Sequence, residues 1–271
     1  MLIRLGYELA YELAQATPII LNLHVHYSRS SDLVRPDTMV TTPAVPLSMY
    51  RDGFGNLCTR VLAPPGRFTV TADALIQDSG IEEPTFPHAY EQAVELLPED
   101  TLVFLLPSRY CETELLSATA WNMFGGISPG WSRVQAICDF VNTHIRFDYE
   151  CARPSKTAWE TFDERTGVCR DYAHLALTLC RCLNIPARYC TGYLGDIGVP
   201  VAGEMDFSGW FEAYIGGAWH TFDPRNNRRR IGRVLIARGR DAADVAISMT
   251  FGPNTLSSFK VWTDEVQATA A

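Results

Sequence analysis

The strongest constraint on the fold is a regular alternation of apolar and polar residues near the start of the chain. Between residues 3 and 13 every odd-numbered position is apolar, and charged residues occupy several of the even positions. This period of two is that of a β-strand with one buried face. Residues 21–27 and 68–76 alternate in the same way, and proline and glycine interrupt the chain between them. We therefore predict that the first third of the chain forms a sandwich-like β module.

Helical spacing replaces this alternation after residue 113. Apolar residues recur every three or four positions in residues 131–145, which predicts an amphipathic helix. Thr157 and Glu160 have the spacing of a capping box, which marks the start of another helix. The second part of the chain is thus expected to contain helices, in contrast to the first.

Composition and charge narrow the class of protein. Of the 271 residues, 47% are hydrophobic and 20% are charged, as in soluble globular proteins. The formal net charge of -8 argues against a protein that mainly coats nucleic acid or an anionic membrane. Residues 1–15 are not apolar enough for a signal peptide, and no apolar run is long enough to span a membrane. We therefore expect a cytoplasmic protein whose eight cysteines are reduced thiols.

Metal and cofactor sites have little support in the sequence. His24 and His26 share one face of a predicted strand and could bind a metal, but such a pair is more often the solvated side of an amphipathic strand. The chain has no CxxC pair, no GxGxxG motif and no phosphate-binding loop. We expect neither a metal nor a cofactor.

Cys169 starts a predicted helix that ends before Pro186, since proline cannot continue it. The residue lies three positions before Tyr172 and therefore on the buried face of the helix. Free backbone N–H groups and the positive end of the helix dipole would lower the pKa of a thiol there, and could also bind an oxyanion. His174 points away from Cys169 on this helix and is expected to be structural. The alternative is that Cys169 is simply another buried cysteine, like Cys180.

A hairpin is predicted downstream of this helix. Gly216 and Gly217 separate two alternating, aromatic-rich runs, which indicates a two-residue turn. Pairing the strands around this turn places Ser208 on the same face as Asp223, about 7–8 Å away at a diagonal position. His220 is an odd number of residues from Asp223, so strand alternation places it on the opposite face.

The cysteine-starting helix followed by an aromatic hairpin resembles the transglutaminase-like superfamily of cysteine enzymes, especially a bacterial class with an added N-terminal β domain. The family's cysteine falls on Cys169, and its aspartate falls on Asp223 in the run TFDP. The family's histidine usually precedes a small residue and a tryptophan. That position is Ser208 here, in the run SGW. Asn226, just after the aspartate, offers only an amide.

The resemblance implies an α+β fold: an N-terminal β-sandwich-like domain (residues 1–112) followed by a papain-like core (residues 113–271) in which the cysteine-bearing helix packs on an antiparallel sheet. It also implies acyl transfer on peptide or protein amides through a Cys169 thioester, with Asp223 orienting the base. Serine cannot replace the imidazole, and losing acid–base help costs about 10²–10⁴-fold in rate.

Two functions therefore remain open. One is a cysteine acyltransferase or amide hydrolase, of the peptidase or amidase type, that either reacts more slowly without the histidine or recruits a base from elsewhere. The other is a catalytically impaired pseudoenzyme that binds a peptide or protein in the same cleft. The substrate, the choice between hydrolysis and transfer, and the oligomeric state also remain open.

Seven arginines crowd into residues 225–240. They could form a nucleic-acid patch, but no aromatic residues for base stacking are interleaved among them. Ion pairs with the protein's excess carboxylates or a solvated face are the favoured interpretations, and attraction of acidic substrate groups is a further hypothesis. We expect neither nucleic acid nor a membrane as a partner. The cluster consists of Arg225, Arg228, Arg229, Arg230, Arg233, Arg238 and Arg240.

Overall fold

The computed structural model describes residues 1–201 and 205–266, and its fold is α+β, as predicted. The helices are α1 (Thr113–Phe124), α2 (Trp131–His144), α3 (Ala158–Glu164) and α4 (Cys169–Cys182). The strands are β1 (Leu2–Leu13), β2 (Thr17–Leu21), β3 (Leu33–Arg35), β4 (Val40–Thr42), β5 (Leu47–Arg51), β6 (Leu57–Ala63), β7 (Gly66–Gln77), β8 (Arg146–Phe147), β9 (Thr166–Gly167), β10 (Ala187–Tyr193), β11 (Ser208–Ile215), β12 (Ala218–Phe222), β13 (Val234–Gly239), β14 (Ser248–Thr250) and β15 (Asn254–Val266).

Two antiparallel sheets contain all the strands of the first third of the chain. One has the order β15-β1-β7-β3, with β4 also paired to β7, and the other has the order β14-β2-β6-β5. The odd-numbered side chains of β1 from residue 3 onward are buried, which confirms the alternation read from the sequence. Both sheets contain strands from beyond residue 113, because β14 pairs with β2 and β15 pairs with β1. The division into domains of residues 1–112 and 113–271 stays a prediction. The strands β14 and β15 lie in the second range but pair with strands of the first.

The strand prediction for residues 21–27 was wrong. The strand β2 ends at Leu21, and both alternating sets of side chains that follow are buried up to residue 26. His24 and His26 are therefore not a solvated face. The Nε2 atom of His24 lies 2.9 Å from Oγ1 of Thr59, and Nδ1 of His26 lies 2.9 Å from Oγ of Ser28. Both nitrogens of the His24 ring have polar neighbours, since its Nδ1 lies 3.4 Å from a carboxylate oxygen of Asp37, whereas Nε2 of His26 is buried without a hydrogen-bond partner.

The core sheet has the order β12-β11-β10-β13 and is antiparallel throughout. The strands β11 and β12 form the predicted hairpin, in which Ala213 pairs with His220. The turn glycines, Gly216 and Gly217, have φ angles of 62° and 80°, which glycine adopts without steric penalty. The sequence therefore predicted both the turn and the register of this hairpin.

The helix α4 is the central element of the core. It packs on β10 and β11 and against the other three helices, and every residue from Asp171 to Cys182 is buried. A carboxylate oxygen of Asp171 accepts the N–H of Val168 at 3.0 Å, which fixes the start of the helix. Within the described residues, no helix is long and apolar enough to cross a membrane.

Candidate active site

Cys169 is the first residue of α4 and is partly exposed. It borders two cavities. The smaller, of about 60 Å³, is polar and also contains Tyr149 and Arg225 in its wall. The larger, of about 520 Å³, has a largely apolar wall that includes Val245 and Phe259. The thiol is thus reachable from a polar side and an apolar side, unlike the fully buried Cys180.

Ser208 lines both cavities together with Cys169, so the structure brings these two predicted positions together. It begins β11 directly before Gly209. A Cβ atom at Gly209 would lie 2.5 Å from the hydroxyl of Tyr189, so glycine is required for β11 to pack this closely against Tyr189. The same Cβ atom would lie 3.4 Å from Cα of Arg170, so β11 also passes close to the start of α4.

The pKa of the Cys169 thiol is raised to about 11 by burial and then by the negative charge of Asp206. The hydrogen bond from Gly209 and the charge of Arg225 act in the opposite direction but do not compensate. The prediction that the helix start would lower this pKa was therefore wrong. Burial of the sulfur outweighs the helix N-terminus.

Asp223 is buried and lines a different cavity, of about 310 Å³, rather than either of the two that Cys169 borders. One carboxylate oxygen accepts the backbone N–H of Asn226 at 3.0 Å, and the other accepts the side-chain amide of Asn226 at 2.8 Å. Nη2 of Arg233 donates to the carboxylate at 2.9 Å. Although burial alone would raise the pKa of Asp223, the charge of Arg233 and the bonds from Asn226 hold it below its ordinary value. Asn226, which donates two hydrogen bonds to Asp223, lines the polar cavity and connects the carboxylate to it.

All six histidines lie outside the two cavities that Cys169 borders. His174 is buried between Tyr110 and Tyr189, and its Nε2 accepts the N–H of Ala242 at 3.1 Å, which agrees with the predicted structural role. The ring of His220 lies 4.4 Å from that of Phe86 and belongs to a different surface. Neither imidazole replaces the one expected at residue 208.

Sequence reasoning missed Asp206 and Tyr149 of the polar cavity, and it named Arg225 only as a member of the arginine cluster. Asp206 lies two positions before Ser208, but β11 begins only at Ser208, so strand alternation does not extend to the acid. Tyr149 and Arg225 come from segments that only tertiary packing brings to the cysteine. The guanidinium of Arg225 stacks on the ring of Phe147, 4.2 Å from its centroid.

Several arginines of the cluster form ion pairs with acidic side chains, as one interpretation of the sequence predicted. These are Arg229, Arg230, Arg233 and Arg240. Arg229 pairs with Glu82 at 3.2 Å, and Arg240 pairs with Asp244 at 2.9 Å. Arg233 bridges Glu83 and Asp223. For metals, no group of three or more His, Cys, Asp or Glu side chains in residues 1–201 and 205–266 is arranged to hold an ion.

The raised pKa of Cys169 predicts how its alkylation depends on pH. We expect the rate with iodoacetamide to rise about tenfold per pH unit from pH 7 to pH 10, since only the thiolate reacts. Mass spectrometry of the tryptic peptide that contains Cys169 measures this rate, and circular dichroism checks that the protein stays folded. A plateau by pH 9 would contradict the raised pKa.

Three comparisons place this site among known proteins. A family model described as the transglutaminase-like superfamily matches residues 117–224, which include Cys169, Ser208 and Asp223. The crystal structure of a candidate cysteine protease from Cytophaga hutchinsonii is 32% identical and has a TM-score of 0.84, covering 100% of this chain and 92% of that one. An uncharacterised protein of Mycobacterium leprae is 25% identical over 215 residues, 76% of each chain. Another, from Mycobacterium tuberculosis, is 27% identical over 223 residues, which is 73% of this chain and 69% of that protein.

Proposed function

Because the chain belongs to the transglutaminase-like superfamily, we propose that Cys169 attacks the carbonyl carbon of a peptide or protein amide and forms a thioester. Water or an amine then releases the acyl group, so the protein is an amide hydrolase or acyltransferase. The observation that carries this proposal is the position of Cys169, a partly exposed residue at the start of α4 that borders two cavities.

The proposed roles of the neighbouring groups follow from their positions. Free N–H groups at the start of α4 would stabilise the oxyanion that forms during attack. Ser208 occupies the position of the family's histidine but supplies no base. Asp223 positions Asn226 in the wall of the polar cavity through two hydrogen bonds. It is thus a positioning residue rather than the partner of an imidazole.

The larger cavity suggests what the substrate presents to Cys169. Apolar side chains such as Val245, Ile247 and Phe259 form much of its wall, and Arg153 and Arg170 also line it. A peptide segment with an apolar side chain beside an acidic group would match both features. We propose such peptide or protein amides as substrates, without nucleic acid or membrane as partners.

The reaction is proposed to need no cofactor, since the thiol itself supplies the nucleophile. We also propose a cytoplasmic location. All eight cysteines are free thiols in the structure, and a reducing compartment would keep them so.

A second candidate function is a pseudoenzyme that binds a peptide in the same cavities without turning it over. Two observations favour it: the thiol has a raised pKa, and Asp223 is engaged by Arg233. Such a protein would bind the peptide but release no amine.

Substituting the nucleophile tests the proposed function. We expect Cys169→Ala to abolish release of amine from a library of peptide amides, because no thioester can form. Cys151→Ala is the matched control, since Cys151 is the other partly exposed cysteine, and it should keep the wild-type rate. A thioester adduct trapped on Cys169, detected by mass spectrometry, would support the enzyme. Peptide binding with no amine release by the wild-type protein would support the pseudoenzyme instead.

A further inference from the structure

The segment that leads into β11 carries an acidic residue beside the thiol. Asp206 lines both cavities together with Cys169 and Ser208. Phe207, between the acid and the serine, is buried, and its ring centroid lies 5.3 Å from that of Tyr193. Phe207 also lines both cavities, so residues 206–208 together form this part of their walls.

The carboxylate of Asp206 is engaged much less than that of Asp223. Its Oδ1 atom accepts the backbone N–H of Phe207 at 2.6 Å. No Lys, Arg or His side chain in the described part of the chain forms an ion pair with it, whereas Asp223 is paired with Arg233. Burial raises the pKa of Asp206 above its ordinary value, although the N–H of Phe207 opposes this shift.

Charged groups of both signs surround Asp206 without neutralising it directly. Asp196, Arg225 and Arg230 line the polar cavity that it borders. Arg230 is itself paired with Asp196, at 3.3 Å. After burial, the negative charge of Asp206 is the largest cause of the raised pKa of Cys169. The carboxylate of Asp206 and the thiol of Cys169 therefore interact electrostatically.

We propose that Asp206 takes the proton of the Cys169 thiol as the sulfur attacks the amide carbonyl, in place of the missing imidazole. This inference rests on the proposed function. The sulfur–carbon bond forms, the carbon–nitrogen bond breaks, and the protonated carboxyl gives its proton to the leaving amine. In the second half, Asp206 takes a proton from the attacking water and returns it to the sulfur as the thioester breaks. The products are an amine, a carboxylic acid and the original thiol.

Removing the carboxylate tests this role. We expect Asp206→Asn to lower kcat/KM for amide cleavage by about 10²–10⁴-fold, the usual loss when a general acid–base group is removed. Asp206→Glu keeps a carboxylate and should retain part of the activity. The matched control is Asp163→Asn, on the exposed surface of α3, which should behave as wild type.

A second measurement, of alkylation, separates a role as base from a structural role. If Asp206 is the base, Asp206→Asn should slow amide cleavage but speed alkylation of Cys169. Without the negative charge, the pKa of Cys169 falls, so Asp206→Asn should be alkylated by iodoacetamide faster than wild type at pH 8. The gain is up to about tenfold for each unit by which the thiol pKa falls. Slower amide cleavage together with faster alkylation is the expected result.

Every other outcome overturns this role for Asp206. Unchanged or faster cleavage by the Asp206→Asn variant, with Cys169→Ala inactive, would leave the proposed function intact and exclude Asp206 as the base. Slower cleavage and slower alkylation together would show that the substitution disturbs the site. Cleavage that survives in Cys169→Ala would instead refute the proposed function, and the role of Asp206 with it.

Discussion

Replacing Ser208 by histidine is expected to raise kcat/KM for amide cleavage by about 10²-fold, the lower end of the usual gain from a general acid–base group. Ser208 and Cys169 line the same two cavities, so an imidazole at residue 208 would be next to the sulfur. Imidazole titrates near neutral pH, and its protonated form would stabilise the thiolate that burial now disfavours. The same substitution should therefore lower the pKa of Cys169 from about 11 and speed its alkylation at pH 7.

The size of the gain depends on which group orients the new imidazole. Asp223 already accepts hydrogen bonds from Arg233 and Asn226, so it has little capacity left for a ring N–H. Asp206 faces the same cavities as residue 208 and can accept that hydrogen bond. Since a carboxylate on that side could already serve as a weaker base, we expect the increase to lie near the lower end, about 10²-fold.

The matched control is Ser208→Asn, which adds a polar side chain of intermediate size but no base. Initial rates for both variants and wild type on the same peptide amide, with Cys169→Ala as the blank, measure the effect. Equal rates for the histidine and asparagine variants, with unchanged circular dichroism, would show that residue 208 is not where a base acts.

Much of the fold could be predicted because short-range periodicity determines it. The alternation in residues 3–13 and 68–76 corresponds to β1 and β7, and the helical spacing in residues 131–145 corresponds to α2. The failure in residues 21–27 has a physical reason. Apolar and polar side chains there are both buried, so alternation does not report a half-exposed strand. The pairing of β15 with β1 joins residues about 250 positions apart, and no local pattern encodes it.

The candidate site divides in the same way. A helix start and a hairpin register bring Cys169 and Ser208 to one place, and both features are local. The pKa of the thiol depends instead on how deeply the surrounding segments bury it, and that is a tertiary property. The pairing of Asp223 with Arg233 could be predicted only in part. The arginine-rich composition predicted ion pairs in general, but only the path of the chain after β12 selects this one.

Removing the positive partner of Asp223 is expected to destabilise the protein strongly. Both side chains are almost completely buried, with 3% and 7% of their surface exposed for Asp223 and Arg233. Arg233→Met would leave the buried carboxylate of Asp223, and the more exposed carboxylate of Glu83, without a counter-charge. Loss of one partner of a buried pair typically costs about 3–5 kcal/mol of unfolding free energy. The methionine fills part of the space over the ring of Trp210, where the guanidinium now stacks at 4.6 Å. Urea denaturation at pH 7 measures the loss.

Two comparisons isolate the buried charge as the cause. Arg229→Met removes a pair with Glu82 in which the arginine is 48% exposed, so it should cost less than about 1 kcal/mol. In Arg233→Met the lone carboxylate takes up a proton more readily than in the unfolded chain. Its penalty should therefore shrink as the pH falls from 7 toward 4, while the wild type loses the contribution of its depressed Asp223 pKa only at still lower pH. A loss that is equal at both pH values would mean that packing over Trp210, rather than the unpaired charge, determines the stability.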